Sequence, residues 1–349
     1  MRLAVDVMGG DHGPEELLQG VQLGLQADPQ VSRVFVVGRE EEIRPALARI
    51  GLSDPRLEIR HASQVLEMGD DPAVAVRRKK DSSVLRALEL VREGSADAVI
   101  SSGNTGGLYA GACVRLGRLP GVKRGTIACI LPSLHGAWVL VDGGANPECT
   151  PEHLVQFGVM GSAYSRAMLG IEHPRVGVLS NGAEETKGTE LTRAALQLLR
   201  RTDLKATGFC EGYDLFMDGV DVCVCDGFVG NIVLKSAESL GKAVRGMLKE
   251  ELLANPVRKF GAFIARGGLR RIAERMNPET YGGAPLLGLD GCVLKIHGGA
   301  RRTTLMHAMR QASRYLQLHL NETIAADLAR AAERLGSDPA EPSTSTIPS

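Results

Sequence analysis

Asparagines, lysines and carboxylates recur in this chain beside glycines, each time just after a short apolar run. The pattern is clearest at residues 98–108. There Ala98-Val-Ile leads into Ser101-Ser102, and Gly103, Gly106 and Gly107 follow, with Asn104 and Thr105 between them. A strand, a glycine-rich turn and a helix over 108–115 would aim backbone N–H groups and a positive helix end at one spot, a geometry that holds phosphate. An ordinary strand-to-helix turn would use the same glycines. Similar strand ends occur at Gly9-Gly10-Asp11-His12, Gly143-Gly144-Ala145-Asn146, Asn181 to Lys187, Asp226-Gly227 to Asn231, and His297-Gly298. Lys187, Lys235 and Lys295 add cations at or near these ends. Ligands of open α/β sheets bind outside the carboxyl ends of strands, and glycine lets a phosphorylated ligand approach the backbone closely.

Other chemistries lack their signatures. The chain has no G-x-G-x-x-G dinucleotide fingerprint, no G-x-x-x-x-G-K-[ST] nucleotide loop and no G-x-S-x-G serine elbow. Its His, Cys and Asp residues do not fall at metal-ligand spacing, so neither a metal nor a cofactor is expected.

The elements that must position these loops alternate. Strands are expected at 2–7, 34–37, 57–60, 98–101, 126–131, 137–141, 176–180, 204–209, 220–225 and 292–297, with helices between most of them. That order predicts a mostly parallel sheet covered on both faces. The short segment 132–136 predicts an antiparallel hairpin. Thr150 is a candidate cap for a helix over 151–168. A long helix is expected from 232 to about 253, a loop at 281–288, and helical structure at 301–335. No linker divides the chain, so residues 1–335 read as a single domain, with a disordered tail at 336–349.

Two basic segments stand out. Arg77-Arg-Lys-Lys80 is either a solvated face or a surface for an anionic partner. Residues 257–276 carry Arg258, Lys259, Arg266, Arg270, Arg271 and Arg275 among Phe260, Phe263, Ile264 and Ile272, interrupted by Gly267-Gly268. This predicts a helix–turn–helix pair of basic amphipathic character. It would pack on a partner subunit or touch anionic lipid or an acidic protein.

Composition narrows the classes. Lys plus Arg equals Asp plus Glu, at 41 each, and aromatics make up 4% of the 349 residues. Neither favours a nucleic-acid partner. Seven cysteines, an odd number with no signal peptide ahead of them, predict reduced thiols in the cytoplasm. Cys223 and Cys225 share one face of a strand and are expected in the core.

Several of these stretches together resemble the PlsX family. They are Asp6-Val-Met-Gly-Gly-Asp-His12, Arg78-Lys-Lys-Asp-Ser-Ser83, Ser102-Gly-Asn-Thr-Gly106, Asp142-Gly-Gly-Ala-Asn-Pro-Glu-Cys-Thr-Pro-Glu-His153, Asn181-Gly-Ala-Glu-Glu-Thr-Lys-Gly188, Asp226-Gly-Phe-Val-Gly-Asn231, Tyr281-Gly-Gly-Ala-Pro-Leu-Leu-Gly288 and Lys295-Ile-His-Gly298. They run in order from residue 1 to about 320. The family usually has alanine at the positions of Val7 and Ser102, and a serine-containing run in place of Gly299-Ala-Arg-Arg302. The resemblance implies a phosphate acyltransferase of phospholipid synthesis, which moves a long-chain acyl group from acyl carrier protein to inorganic phosphate. It also implies an isocitrate/isopropylmalate dehydrogenase-like, three-layer α/β/α fold, shared with phosphotransacetylases, and a homodimer. A membrane glycerol-3-phosphate acyltransferase would act downstream. The family implies peripheral contact with the inner face of the membrane through a protruding helical tip, at about 255–280 here, where Arg258, Lys259, Phe260, Phe263, Arg270 and Arg271 are the candidates. A non-catalytic phosphate- or acyl-binding regulator and an NAD-dependent decarboxylating dehydrogenase are the competing classes.

Phosphate attack on a thioester needs little activation. A phosphate monoester has its second pKa at about 6, and a free thiol at about 8.5. Positioning then contributes about 7–11 kcal/mol and one oxyanion donor about 2.7–4 kcal/mol. Asn104, Thr105 and the amides of 103–107 are assigned to phosphate, and Lys187 to the phosphate or the developing oxyanion. Asn231 and Lys235 complete the anion site, with Asp226 orienting them. Asn146, Asn181, Gly227, Lys295 and His297 are further binding candidates, and Asp11 and His12 are acid–base or supporting groups.

Overall fold

The computed structural model describes residues 1–276 and 278–336. Twelve strands, β1 (Arg2–Asp6), β2 (Arg33–Gly38), β3 (Leu57–His61), β4 (Ala98–Ser101), β5 (Thr126–Ile127), β6 (Cys129–Pro132), β7 (Ala137–Val141), β8 (Arg175–Leu179), β9 (Lys205–Cys210), β10 (Val222–Val224), β11 (Ala284–Leu287) and β12 (Cys292–Lys295), form two sheets. The first runs β3-β2-β1-β4-β12-β11-β5 and the second β6-β7-β10-β8-β9. Pairing is parallel except where β11 meets β12 and β5, and where β6 meets β7. The expected alternation and the 132–136 hairpin are therefore present.

Alternating side chains of each strand enter two apolar layers. Leu3 and Val5 of β1 share one core with Val139 and Val141 of β7. Ala4 shares the other with Trp138 and Leu140, so each core extends across both sheets. Strands buried on both faces read as near-continuous apolar runs, as these do. Helices cover the layers: Gly13–Ala27 packs on Arg302–Gln317, and Pro151–Leu169 packs on Leu320–Leu335. Thr150 caps Pro151–Leu169 as expected, by accepting from the His153 N–H. Cys223 and Cys225 are buried.

Four local expectations need correction. The strand expected over 126–131 breaks at Ala128, whose N–H donates to the Pro285 carbonyl (3.1 Å). Its halves belong to different sheets, which is why two sheets stand where one was expected. The segment 281–288 is not all loop, since it contains β11. The helix expected at 108 begins at Thr105, and that expected at 232 begins at Gly227, because Asn104 and Asp226 cap them. The helical region expected at 301–335 is present, as two helices separated at His319 in the left-handed conformation (φ 48°). Finally, Pro256–Arg275 is one continuous helix rather than two joined at Gly267-Gly268. Each helical glycine costs about 1 kcal/mol. Here the Asn255 cap, an Arg270–Glu274 pair one turn apart and packing on the preceding helix Gly227–Leu253 offset that cost. The two long helices form a hairpin whose side chains are largely exposed, including Leu240, Met247, Val257, Phe260, Phe263 and Ile264. Among the described residues no helix is long and apolar enough to cross a membrane. The expected tail lies, beyond Gly336, outside the described residues.

Candidate active site

Parallel pairing places the carboxyl ends of β1, β4 and β12 side by side. Asp6 is in register with Ser101, and Ser101 with Lys295, so three polar side chains form one row across adjacent strands. Asp6 and Ser101 are buried and Lys295 is half-buried. Ser101 Oγ donates to Asp6 Oδ2 (2.7 Å) and accepts from the Gly103 N–H (3.1 Å). The Met8 N–H donates to Asp6 Oδ1 (3.1 Å). Burial raises the Asp6 carboxyl pKa, and the Ser101 and Met8 hydrogen bonds oppose the rise.

Lys295 Nζ donates to the carbonyls of Ser102 (3.1 Å) and Ile296. Burial pushes its pKa down to about 8; Asp6 and Asp11 oppose the shift, and Lys235 adds to it. An ammonium has three donors, so one N–H of Lys295 has no acceptor among the described residues.

The three strand ends are locked together. A Cβ on Gly9 would lie 2.3 Å from Gly103 Cα, so the first and fourth turns touch backbone to backbone. The Asp11 N–H donates to the Gly298 carbonyl (2.9 Å) and the Ile296 N–H to Ser101 (2.9 Å). Asp11 and His12 are exposed at this rim. His297 Nδ1 accepts from the Gly299 N–H (3.0 Å), and burial followed by Lys235 lowers its pKa.

Asn104 is placed where the sequence puts it, but its side chain is engaged. Its Oδ1 accepts from the Gly107 N–H (2.8 Å), and its Nδ2 donates to the carbonyls of Glu67 and Met68 (3.1 Å each). Asn104 therefore shapes the turn. The first two N–H groups of the helix Thr105–Arg115, those of Thr105 and Gly106, have no acceptor among the described residues. They are the donors this turn offers to an anion.

The second sheet presents a matching edge, since β7, β10 and β8 are parallel neighbours. Asp142, buried at the end of β7, accepts from the N–H groups of Ile127 (2.9 Å), Gly144 (3.2 Å) and Asn146 (2.7 Å) and from Asn146 Nδ2 (2.9 Å). Asn146 Nδ2 also donates to the Gly125 carbonyl (2.7 Å), so Asn146 is held inside the loop. Asp226 accepts from the Val229 N–H (2.9 Å) and starts the helix Gly227–Leu253. A Cβ on Gly230 would fall 1.9 Å from the Asp142 carbonyl oxygen. Glycine is required there for this helix to begin against the β7 end. Exposed Asn231 stands over Gly144, 3.2 Å from where a Cβ would be. One turn on, Lys235 pairs with Glu238 (3.2 Å) and acts electrostatically on Lys295 and His297. This helix thus joins the two edges.

The β8 end carries the 181–188 loop. Asn181 Oδ1 accepts from the Gly188 N–H (3.0 Å), and Lys187 is exposed. Lys187 stands on the same edge as Asp226, one strand away, but makes no contact with the Lys295 row among the described residues. Arg77 to Lys80 is partly structural, because Lys79 Nζ holds the Val65 carbonyl (2.9 Å) and Asp70 (2.5 Å). On the exposed hairpin Arg258 and Arg270 pair with Glu251 and Glu274, and Arg266 lies over the Phe263 ring (4.5 Å).

Sequence reasoning passed over Asp6, Ser101 and Asp142 as site residues. The signal was available: Leu3-Ala-Val-Asp6 and Val139-Leu-Val-Asp142 each end an apolar strand in a carboxylate, which the sheet then buries. Buried carboxylates need donors, and here the donors are the loops that form the site.

Residues 1–323 match the family described as fatty acid synthesis protein. Relatives named phosphate acyltransferase are 44% identical over 332 residues in Desulfitobacterium hafniense strain Y51 (95% of this chain, 98% of the relative). One from Myxococcus xanthus is 44% identical over 346 residues (97% of each). Among solved structures, a phosphotransacetylase from Streptococcus pyogenes aligns at a TM-score of 0.60 with 17% identity, covering 90% of this chain and 94% of that one. A branched-chain phosphotransacylase from Enterococcus faecalis aligns at 0.55 with 16% identity, covering 91% and 99%. The structural likeness extends to the fold, a three-layer α/β arrangement with mostly parallel sheets, as the sequence predicts. With the family matched over nearly the whole described chain, the chain belongs to the PlsX family of phosphate acyltransferases and is an acyltransferase acting with phosphate.

Proposed function

We propose that this enzyme transfers a long-chain fatty acyl group from acyl carrier protein to inorganic phosphate, releasing acyl phosphate and free carrier protein for phospholipid synthesis. The observation that carries this reading is the convergence of half-buried Lys295, Lys235 and the free Thr105 and Gly106 N–H groups on one rim. Cations and backbone donors are what a phosphate nucleophile and a tetrahedral oxyanion need. Gly103 and Gly106 let the turn pack closely, since a Cβ on Gly106 would lie 2.5 Å from Pro72 Cγ and one on Gly103 3.3 Å from Ser101 Oγ. Asp226, Gly227 and Asn146 shape the facing wall, from which Asn231 and Lys235 reach the anion. Lys187 and Asn181 supply the β8 side, and Asp11, His12 and His297 line the rim.

The exposed hairpin is the proposed contact with an anionic membrane surface, through Lys259, Phe260, Phe263 and Arg271 with Arg258 and Arg270. It is also the proposed seat of a homodimer and of approach to a membrane acyltransferase. The enzyme would work in the cytoplasm, at the inner face of the membrane. The direct test incubates the protein with acyl carrier protein bearing a long acyl chain and with phosphate, then traps acyl phosphate with hydroxylamine. Phosphate-dependent hydroxamate with release of free carrier protein is expected. Binding of both substrates with no turnover overturns the reading in favour of a regulator.

A further inference from the structure

We propose that Lys295 is the proton donor to the departing thiolate, and that Asp6, the counter-charge in register with it across Ser101, is the positioning residue that holds it ready. The inference rests on the acyl-transfer reading above.

Three observations carry it. Asp6, Ser101 and Lys295 are the last in-register residues of three adjacent parallel strands, so their side chains leave the sheet on one face. Ser101 Oγ joins Asp6 (2.7 Å) to the Gly103 N–H (3.1 Å), which ties the carboxylate to the turn presenting the Thr105 and Gly106 donors. Lys295 Nζ is fixed by two strand-end carbonyls and keeps one N–H for a ligand. A lysine held only to bind an anion would be better placed in solvent, where it keeps its charge at no desolvation cost. This one is half-buried at the strand end, faces the like charge of Lys235, and is balanced by Asp6 and Asp11. Its acidity is thereby brought close to that of a thiol, the match that favours proton transfer.

The reaction requires such a transfer. Hydrogenphosphate dianion attacks the thioester carbonyl carbon through one oxygen, forming the C–O bond. The tetrahedral intermediate collapses, the C–S bond breaks, and sulfur leaves with the bonding pair. Lys295 Nζ gives that sulfur a proton, and the proton carried in by hydrogenphosphate restores the ammonium. The products are the acyl phosphate dianion and a neutral thiol, so charge and protons balance.

The test uses the full chain, acyl carrier protein with a long acyl chain, and phosphate. For the wild type, kcat/KM for phosphate is expected to fall above a limb near pH 8; a profile with no alkaline limb up to pH 9.5 overturns the proposal. Lys295→Gln is expected to lose about 100-fold or more in kcat, beyond any rise in phosphate KM, and to lose the limb. Lys295→Arg keeps a cation that does not release its proton and covers the case in which the glutamine variant does not fold. The same kcat loss is expected from it. A rise in phosphate KM with kcat retained, in either variant, makes Lys295 an anion-binding group only and overturns the proposal. Asp6→Asn, folded by circular dichroism, is expected to move the limb to lower pH, because Lys295 loses its counter-charge. An unmoved limb removes Asp6 from the positioning role. A wild type that forms no acyl phosphate at all sinks the acyl-transfer reading itself, a different result from any of these.

Discussion

Replacing Gly9 by alanine probes the contact that aligns the site. The Gly9 backbone is not left-handed, so alanine brings no conformational strain of its own. Its Cβ would lie 2.3 Å from Gly103 Cα and 2.4 Å from Gly103 N. Non-bonded carbons in contact stand about 3.5–4.0 Å apart, so the β1 and β4 turns must separate by about 1.2 Å or more. The atoms met are backbone, so no rotamer change relieves them. Overpacking of this kind costs about 1–3 kcal/mol, and a 1 Å misplacement of a reacting group costs about 100-fold in rate. Gly9→Ala is therefore expected to keep its fold, lower its urea midpoint and lose about two orders of magnitude in acyl phosphate formation. Gly246→Ala is the control: nothing lies within 4 Å of that Cβ in the helix Gly227–Leu253. It is expected to be as active as the wild type and stabler by up to about 1 kcal/mol. If Gly9→Ala turns over within twofold of wild type with an unchanged midpoint, the two turns are not held in alignment by this contact.

Asp142→Asn puts an NH2 group among donors that now converge on a carboxylate. A loss of about 2–4 kcal/mol follows from leaving one or two buried N–H groups unpaired, and urea unfolding at pH 7 would read it. Lys295 also predicts a pH dependence of stability. Its folded-state pKa of about 8 lies below the ordinary 10.5, so below pH 8 it is charged in both states and its burial opposes folding. As pH rises from 8 towards 10.5 the folded state sheds its proton first, and up to about 3 kcal/mol is regained. The stability difference between wild type and Lys295→Met should shift in favour of wild type over that window; parallel curves would show that the lysine is not desolvated. For the hairpin, Phe260→Asp/Phe263→Asp is expected to abolish salt-sensitive co-sedimentation with anionic vesicles while leaving circular dichroism unchanged. Binding equal to wild type would place the membrane contact elsewhere.

Much of the site was legible because glycine and small polar residues at strand ends have few other uses. The turns at Gly9, Gly103, Gly143, Asn181, Asp226 and His297 all stand at strand ends in the structure. The roles within them were less legible. Asn104 and Asn146 read as ligand contacts but spend their side chains on neighbouring carbonyls and N–H groups. An asparagine serves equally as a cap or as a donor to substrate, and only its neighbours decide. Gly267-Gly268 read as a break because propensity disfavours helix there, yet capping and packing carry the helix through.

Composition, apolar periodicity and the order of motifs determined the α/β class, the parallel pairing and the family of this chain, because those are local and repeat along it. Tertiary structure alone decided that the 126–131 segment is shared between two sheets. It also decided that Lys295 sits in register with Ser101 and Asp6, residues far apart in sequence. Register between distant strands depends on the packing of whole layers, and burial depends on what covers the strand ends. The charge of a lysine beside a carboxylate follows from both.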